Sequence, residues 1–256
     1  SAPTAAPEAA PVEASVDVSS AANPDPAWVE TFDTGSWGRI NHAWGNVQTG
    51  NGEVTLTGIS GMMEFPGGPS AGDGYGYREF VANIEGSGPG PAIVLWPGSN
   101  VWPGPEIDIG EIKPDGSGQY AALHWKGETG GDEYVTVDIG DYRGQWATYG
   151  VNWLPDAVEF YVNGELKGRV TENVGRDFAN GGEDVTSGWL SSIGYGPGDG
   201  RITVTEVRFT PYDGSSTPGQ EPAPGPMPAP VPPPNDWSGP APQPDAAPAP
   251  EVPPVA

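Results

Sequence analysis

From Trp28 to Phe209 the chain never keeps a helical period; it runs as short β-rich stretches broken by glycine-rich turns. Residues 54–57, 77–84, 93–96, 106–112, 120–126, 134–139, 146–153, 157–162, 190–194 and 202–210 are the clearest of these stretches. Strands at that spacing build an antiparallel sandwich or barrel. Within 157–170, Asn163-Gly164 lies between two alternating runs and predicts a type I′ hairpin turn. A sandwich with this many strands can curve one sheet, and a curved sheet makes a groove suited to a long ligand.

Composition sets the limits of that sandwich. Glycine (40) and proline (32) are abundant enough to suggest low complexity, but they are unevenly spread. Sixteen prolines fall after residue 212, whereas 24 of the 25 aromatic residues lie between Trp28 and Tyr212, Trp237 being the exception. One globular domain is therefore expected at 27–212, with a disordered Ala/Pro-rich segment at 1–26 and a disordered Pro-rich tail at 213–256. All ten Lys and Arg and 25 of the 34 acids fall in the domain, which thus carries −15 of a formal net charge of −24. Such a surface repels phosphate polymers and anionic lipid, so no nucleic-acid partner is expected. No apolar run is long enough for membrane insertion, which takes about 18 residues. With no cysteine in the chain, disulfide frameworks, thiolate catalysis and cysteine-held metals are excluded.

The run that carries most chemistry is Pro103-Gly-Pro-Glu-Ile-Asp-Ile-Gly-Glu-Ile-Lys113. In a strand, Glu106 and Asp108 point to one face while Ile107 and Ile109 point to the core. Strict alternation would send Glu111 to the core face, where an unpaired carboxylate is costly. One extra residue, a β-bulge at Gly110, returns Glu111 to the face of the other two acids. Three carboxylates on one face suit hydrolysis of a glycosidic bond, in which one acid attacks the anomeric carbon and another protonates the leaving oxygen. A retaining reaction needs the two carboxyls about 5–5.5 Å apart. Four strand steps separate the two backbone positions by roughly 13 Å, so the Glu side chains have to lean together over a concave sheet. Asp108 between them would hydrogen-bond one neighbour and help split the two pKa values. In a chain this acidic, a sheet face decorated with acids and doing no chemistry is the plain alternative.

The context of the acids resembles a known family. Ala92-Ile-Val-Leu-Trp-Pro-Gly-Ser-Asn-Val-Trp-Pro-Gly-Pro-Glu-Ile-Asp-Ile-Gly-Glu111 resembles the catalytic strand and preceding loop of glycoside hydrolase family 16, the laminarinase and lichenase family. The match is to its bulged subgroup, with the pattern Glu-x-Asp-x-x-Glu. Gly74-Tyr-Gly-Tyr-Arg-Glu79 is similar to the family's early strand and Leu123-His-Trp125 to its post-catalytic strand. Residues 149–164 are similar to its strand pair ending in a turn, and Thr205-Glu-Val-Arg-Phe209 to its closing strand. The resemblance implies an all-β fold, an antiparallel β-jelly-roll sandwich like concanavalin A, with a concave substrate groove.

It also implies roles: Glu106 as nucleophile, Glu111 as general acid/base, Asp108 as the assisting carboxylate, and His124 on the neighbouring strand facing the acids. For His124 a satisfied core histidine is the alternative. Sugar rings pack their C–H faces on aromatic rings. Trp102, at the family's Trp-Pro position, and Trp96, on the strand face of Val94 where the family often has tryptophan, are therefore expected substrate contacts, with core packing as the alternative. Trp125 alternates away from His124 and is expected in the core, and His42 lacks a partner motif and reads as structural. Many family members hold calcium on the convex side. The matching places here are Thr31 and Thr205, neither acidic, with Glu30, Asp33 and Glu206 nearby. No metal or other cofactor is expected, a structural calcium ion being the one exception left open.

The implied function is that of a retaining, endo-acting hydrolase of internal β-linkages in a β-1,3 or mixed β-1,3/1,4 glucan. The alternatives are a galactan hydrolase or transglycosylase of the same family, or a non-hydrolytic glucan-binding module. The expected partner is a polysaccharide, and a monomer is expected. Stretches 5–12 and 223–234 resemble spacers of secreted or surface-tethered enzymes, which points to a secreted, periplasmic or cell-surface location.

Overall fold

The computed structural model describes residues 28–33, 40, 42–63, 73–97, 101–174, 185–192, 197–212 and 214. Among these, every regular element is a strand: β1 (Trp28–Glu30), β2 (His42–Gly50), β3 (Glu53–Met63), β4 (Gly76–Glu85), β5 (Ala92–Pro97), β6 (Glu106–Ile112), β7 (Gln119–Lys126), β8 (Asp132–Gly140), β9 (Trp146–Leu154), β10 (Ala157–Val162), β11 (Glu165–Val170), β12 (Val185–Ser192) and β13 (Arg201–Pro211). No helix among the described residues is long and apolar enough to cross a membrane. The segments expected at 1–26 and, apart from residue 214, at 213–256 lie outside the described residues.

Every expected strand is present, most of them longer than expected, and β12 begins five residues earlier than the 190–194 stretch suggested. Residues 193 and 194 lie outside the described residues. β1 and β2 were not expected. β1 is three residues long, and the alternation of β2 is broken by Gly45 and Asn46, where its register against β3 slips. The β10–β11 hairpin turns as expected, with φ +51° at Asn163 and +77° at Gly164, the two left-handed residues of a type I′ turn.

All pairings are antiparallel, in the order β11-β10-β9-β4-β13-β3-β12-β5-β6-β7-β8, with β1 added to β13 and β2 to β3. This ribbon folds back on itself, so that β6 packs over β9, and β8 over β10 and β11. β3 carries the chain from one layer to the other: residues 54–57 pair with β13, and residues 60–63 with β12. Between them Gly58 has φ +63°, and beside it Gly45 of β2 has φ +71°. A Cβ on Gly45 would lie 2.1 Å from the Ile59 carbonyl oxygen, so only glycine fits that corner. The product is an antiparallel jelly-roll sandwich.

Alternation fills the space between the layers. Phe80, Ala82 and Ile84 of β4, Ile107 and Ile109 of β6, Leu123 of β7, Tyr149, Val151 and Trp153 of β9 and Phe160 of β10 form one buried cluster. Each large apolar side chain closed off there stabilises the fold by about 1.5–3 kcal/mol. β13 contributes Ile202 and Val204, then Val207, with Phe209 buried on the same face as Val207; the change of phase follows from a register slip between Val204 and Glu206. The opposite face of β5 carries a second, smaller cluster of Ala92, Val94 and Trp96, against which Met63 and Trp102 pack. That face holds the acids.

Candidate active site

The bulge in β6 is present where the spacing of the acids requires it. Asp108 pairs with Ala122 and Glu111 with Tyr120, so Ile109 and Gly110 together span the single residue Ala121. Gly110 has φ +82°, and a Cβ there would lie 2.5 Å from Ile84 Cδ1. Both backbone and space therefore demand glycine. The carbonyl freed by the distortion is not left bare. Gln119 Nε2 donates to Gly110 O at 3.0 Å and also reaches Tyr149 Oη at 3.3 Å, while Gln119 Oε1 accepts the Tyr142 N–H at 2.7 Å.

With the bulge in place, Glu106, Asp108 and Glu111 share the face opposite the core, only 7%, 2% and 9% exposed. His124 of β7 pairs with Glu106, and its Nε2 is 3.4 Å from Asp108 Oδ2. Its Nδ1 faces both oxygens of Asp132, on β8, at 3.1 and 3.2 Å. Burial opposes a charge on the ring, but the bonds and the attraction of Asp108 and Asp132 outweigh it and push the His124 pKa up to about 10. Glu111 is pushed up to about 8, by burial first and by the Asp108 charge second, with His124 and a hydrogen bond to Tyr120 opposing. Glu106 is also held well above the ordinary carboxylate range, by burial, then by the charge of Asp108 and a hydrogen bond with it. One carboxyl oxygen each of Glu106 and Asp108 and one ring nitrogen of His124 lie within 4.8 Å of one another.

Aromatic rings form a row beside the acids. Trp96 and Trp102 stack with centroids 5.6 Å apart and planes 12° from parallel. Trp102 then meets His124 at 5.4 Å, and His124 meets Tyr134 of β8 at 5.2 Å. Trp96 is buried beneath its neighbours, which leaves it little surface for a ligand, whereas Trp102 and Tyr134 are half-buried. Trp125 faces the other way, packs against the main core and donates from Nε1 to Glu133 Oε2 at 3.1 Å. β2 places His42 opposite Met63 in register.

Residues 63–188, a span that contains every residue of this acid and histidine cluster, match the family model described as Glycosyl hydrolases family 16. The chain carries a family 16 domain. Over 106 residues it is 34% identical to a beta-glucanase of Acetivibrio thermocellus, an alignment that covers 40% of this chain and 30% of that protein. The chain thus spans less than a third of that curated relative's length. Among solved structures, the laminarinase catalytic domain of Thermotoga maritima MSB8 is 18% identical, with a TM-score of 0.52 over 72% of this chain and 96% of that one. A structure from work on endo-acting O-glycanases of the human gut microbiota, which initiate mucin breakdown, is 20% identical, with a TM-score of 0.57 over 73% of this chain and all of that one. At such identities the likeness is one of fold.

Three residues of the family 16 domain escaped the sequence reading: Asp132 and Tyr134, which meet His124, and Gln119, which holds the Gly110 carbonyl at the bulge. Gly127 N–H donates to Gly131 O and closes a short hairpin between β7 and β8, which pairs Lys126 with Asp132 and His124 with Tyr134. The turn signal Lys126-Gly-Glu-Thr-Gly-Gly-Asp132 contained that pairing, and counting outward from it would have found both β8 residues. At the other side, Glu30 accepts the Phe32 N–H, Asp33 accepts from Thr31 and Glu206 is paired with Arg208.

Proposed function

We propose that this domain is a retaining, endo-acting hydrolase of a neutral β-1,3 or mixed β-1,3/1,4 glucan. The observation that carries the reading is the bulge: it brings Glu106 and Glu111 to one face, buried to similar depth, with Asp108 between them on β6 and His124 beside Asp108 on β7. Glu111, protonated at neutral pH, gives its proton to the leaving oxygen as the Glu106 carboxylate forms a bond to the anomeric carbon and the glycosidic C–O bond breaks. Glu111, now ionised, takes a proton from water, whose oxygen displaces Glu106 from the sugar. Attack needs an ionised Glu106, and its hydrogen bond to Asp108 gives the proton held by the pair somewhere to go. Trp102 and Tyr134 offer ring surface to the flanking sugars, and Trp96 supports Trp102 from behind.

The glucan assignment draws on the beta-glucanase relative and on charge, since a domain at −15 with a carboxylate-lined face disfavours sulfated galactans. A polymeric glucan is met outside the cell, which agrees with the spacer-like composition of residues 5–12 and 223–234. Reducing-sugar release from laminarin, lichenan and agarose tests the reading. Activity on the first two with retention of anomeric configuration is expected. Release from agarose alone would move the substrate to a galactan, new longer oligosaccharides without net release would make the protein a transglycosylase, and binding without either would make it a glucan-binding module.

A further inference from the structure

We infer that Asp132 is a positioning residue for the reaction, holding His124 from β8 so that the ring directs one N–H to Asp132 and the other to Asp108. The inference rests on the glycosidase reading above and adds to it a residue outside the acid motif. Its basis is a line of contacts across three neighbouring strands: Asp132 of β8, His124 of β7 at 3.1 Å, and Asp108 of β6 at 3.4 Å from the far side of the ring. An imidazole with carboxylates at both nitrogens is satisfied at both ends only as the cation. The bonds to Asp132 also leave the ring one orientation.

His124 is faced by Glu106, Asp108 and Glu111 from β6, by Asp132 and Tyr134 from β8, and by the Trp102 ring; on its own strand Tyr120 and Lys126 share its face. Burial and the Asp132 charge hold the Tyr134 hydroxyl above its ordinary value, and among the described residues facing the ring Lys126 is the other cationic side chain, placed opposite Asp132 in register. Without the Asp132 charge, Asp108 alone holds the ring's charge against burial, and nothing on β8 fixes the ring's orientation toward Asp108. Asp132 thereby acts on the acids through His124, touching no reacting atom itself.

The test uses the full chain, whose 2 histidines make ring-nitrogen NMR simple to assign with His42→Gln. In the parent, His124 should remain protonated beyond pH 9. In Asp132→Asn, which keeps the volume and one oxygen for the Nδ1–H, its titration should fall by about one pH unit or more. Turnover on laminarin should fall roughly tenfold or more with KM little changed, and the pH profile of kcat/KM should move with the histidine. Asp132→Glu should recover part of both, and it replaces the first variant if that one does not fold. An unmoved His124 titration overturns the inference however active the enzyme is, and a moved titration with unchanged kinetics overturns the positioning role. If the parent hydrolyses no glucan, the functional reading fails first, and the NMR result still decides whether Asp132 governs His124.

Discussion

A carboxyl acts as an acid at neutral pH only when its surroundings oppose its charge, and at Glu111 burial and the Asp108 charge supply that opposition. The sign follows for stability as well as for rate. The unfolded chain gives up this proton near 4.5, the folded protein near about 8. The native state thus binds more protons across that window, and stability from this group falls as the pH rises through it. Glu111→Gln, neutral throughout, is expected to raise Tm at pH 9 by a few degrees in calorimetry while abolishing most glucan hydrolysis. It should keep activity on an aryl glycoside whose leaving group needs no proton, whereas Glu106→Gln should lose both substrates because an amide cannot form the glycosyl ester. In the parent, kcat/KM should decline above about pH 8. Parental turnover in Glu106→Gln would remove Glu106 from the mechanism. Glu106, Asp108 and Glu111 were legible because three acids in six residues leave few arrangements with none buried alone. Asp132 was missed because it lies outside the acid motif, and its place opposite His124 emerges only when the β7–β8 pairing is counted out from the 126–132 turn.

At the scale of the strand, β6 shows which part of a site is written in its own sequence. The bulge follows from the count of residues between Asp108 and Glu111, and Gly110 supplies the positive φ it needs. What stabilises the bulge lies elsewhere: Gln119 is fully buried on β7, and its bond is to a main-chain carbonyl, which leaves no mark in the β6 sequence. Gln119→Leu would strand the Gly110 carbonyl and the Tyr142 N–H, each at about 1–3 kcal/mol. The expected outcome is a clear loss of stability in denaturant titration, and a loss of glucan hydrolysis even well below Tm, as Glu111 loses its fixed backbone. Gly110→Ala forces a side chain into φ +82° and against Ile84, and should be destabilised by about 1–2 kcal/mol. Full activity in Gln119→Leu below Tm would show that the bulge holds Glu111 without it.

Across the whole molecule, the sandwich was legible because period-2 alternation survives in most strands, and the Asn163-Gly164 turn sets the pairing next to it, Val162 with Glu165 and Tyr161 with Leu166, before the register slips between Tyr161 and Phe160. The passage of β3 between layers was not, because alternation is local and says nothing of which sheet a strand joins. Net charge is the property that no single strand carries, and it yields the last prediction. A domain formally at −15 sets up a negative field that a neutral glucan does not feel and an anionic one does. Salt shortens the reach of that field from about 30 Å at 0.01 M to about 3 Å at 1 M. Hydrolysis of laminarin should therefore change little with salt, while a carboxymethylated laminarin should be cleaved more slowly at low salt and gain on it as salt is added. The comparison is of kcat/KM for the two polymers at each ionic strength, at matched chain length and low substitution. A ratio flat across that range would mean that the rejection is steric, set by the row of Trp102, His124 and Tyr134 rather than by charge. A faster rate on the anionic polymer at low salt would overturn the neutral-substrate reading.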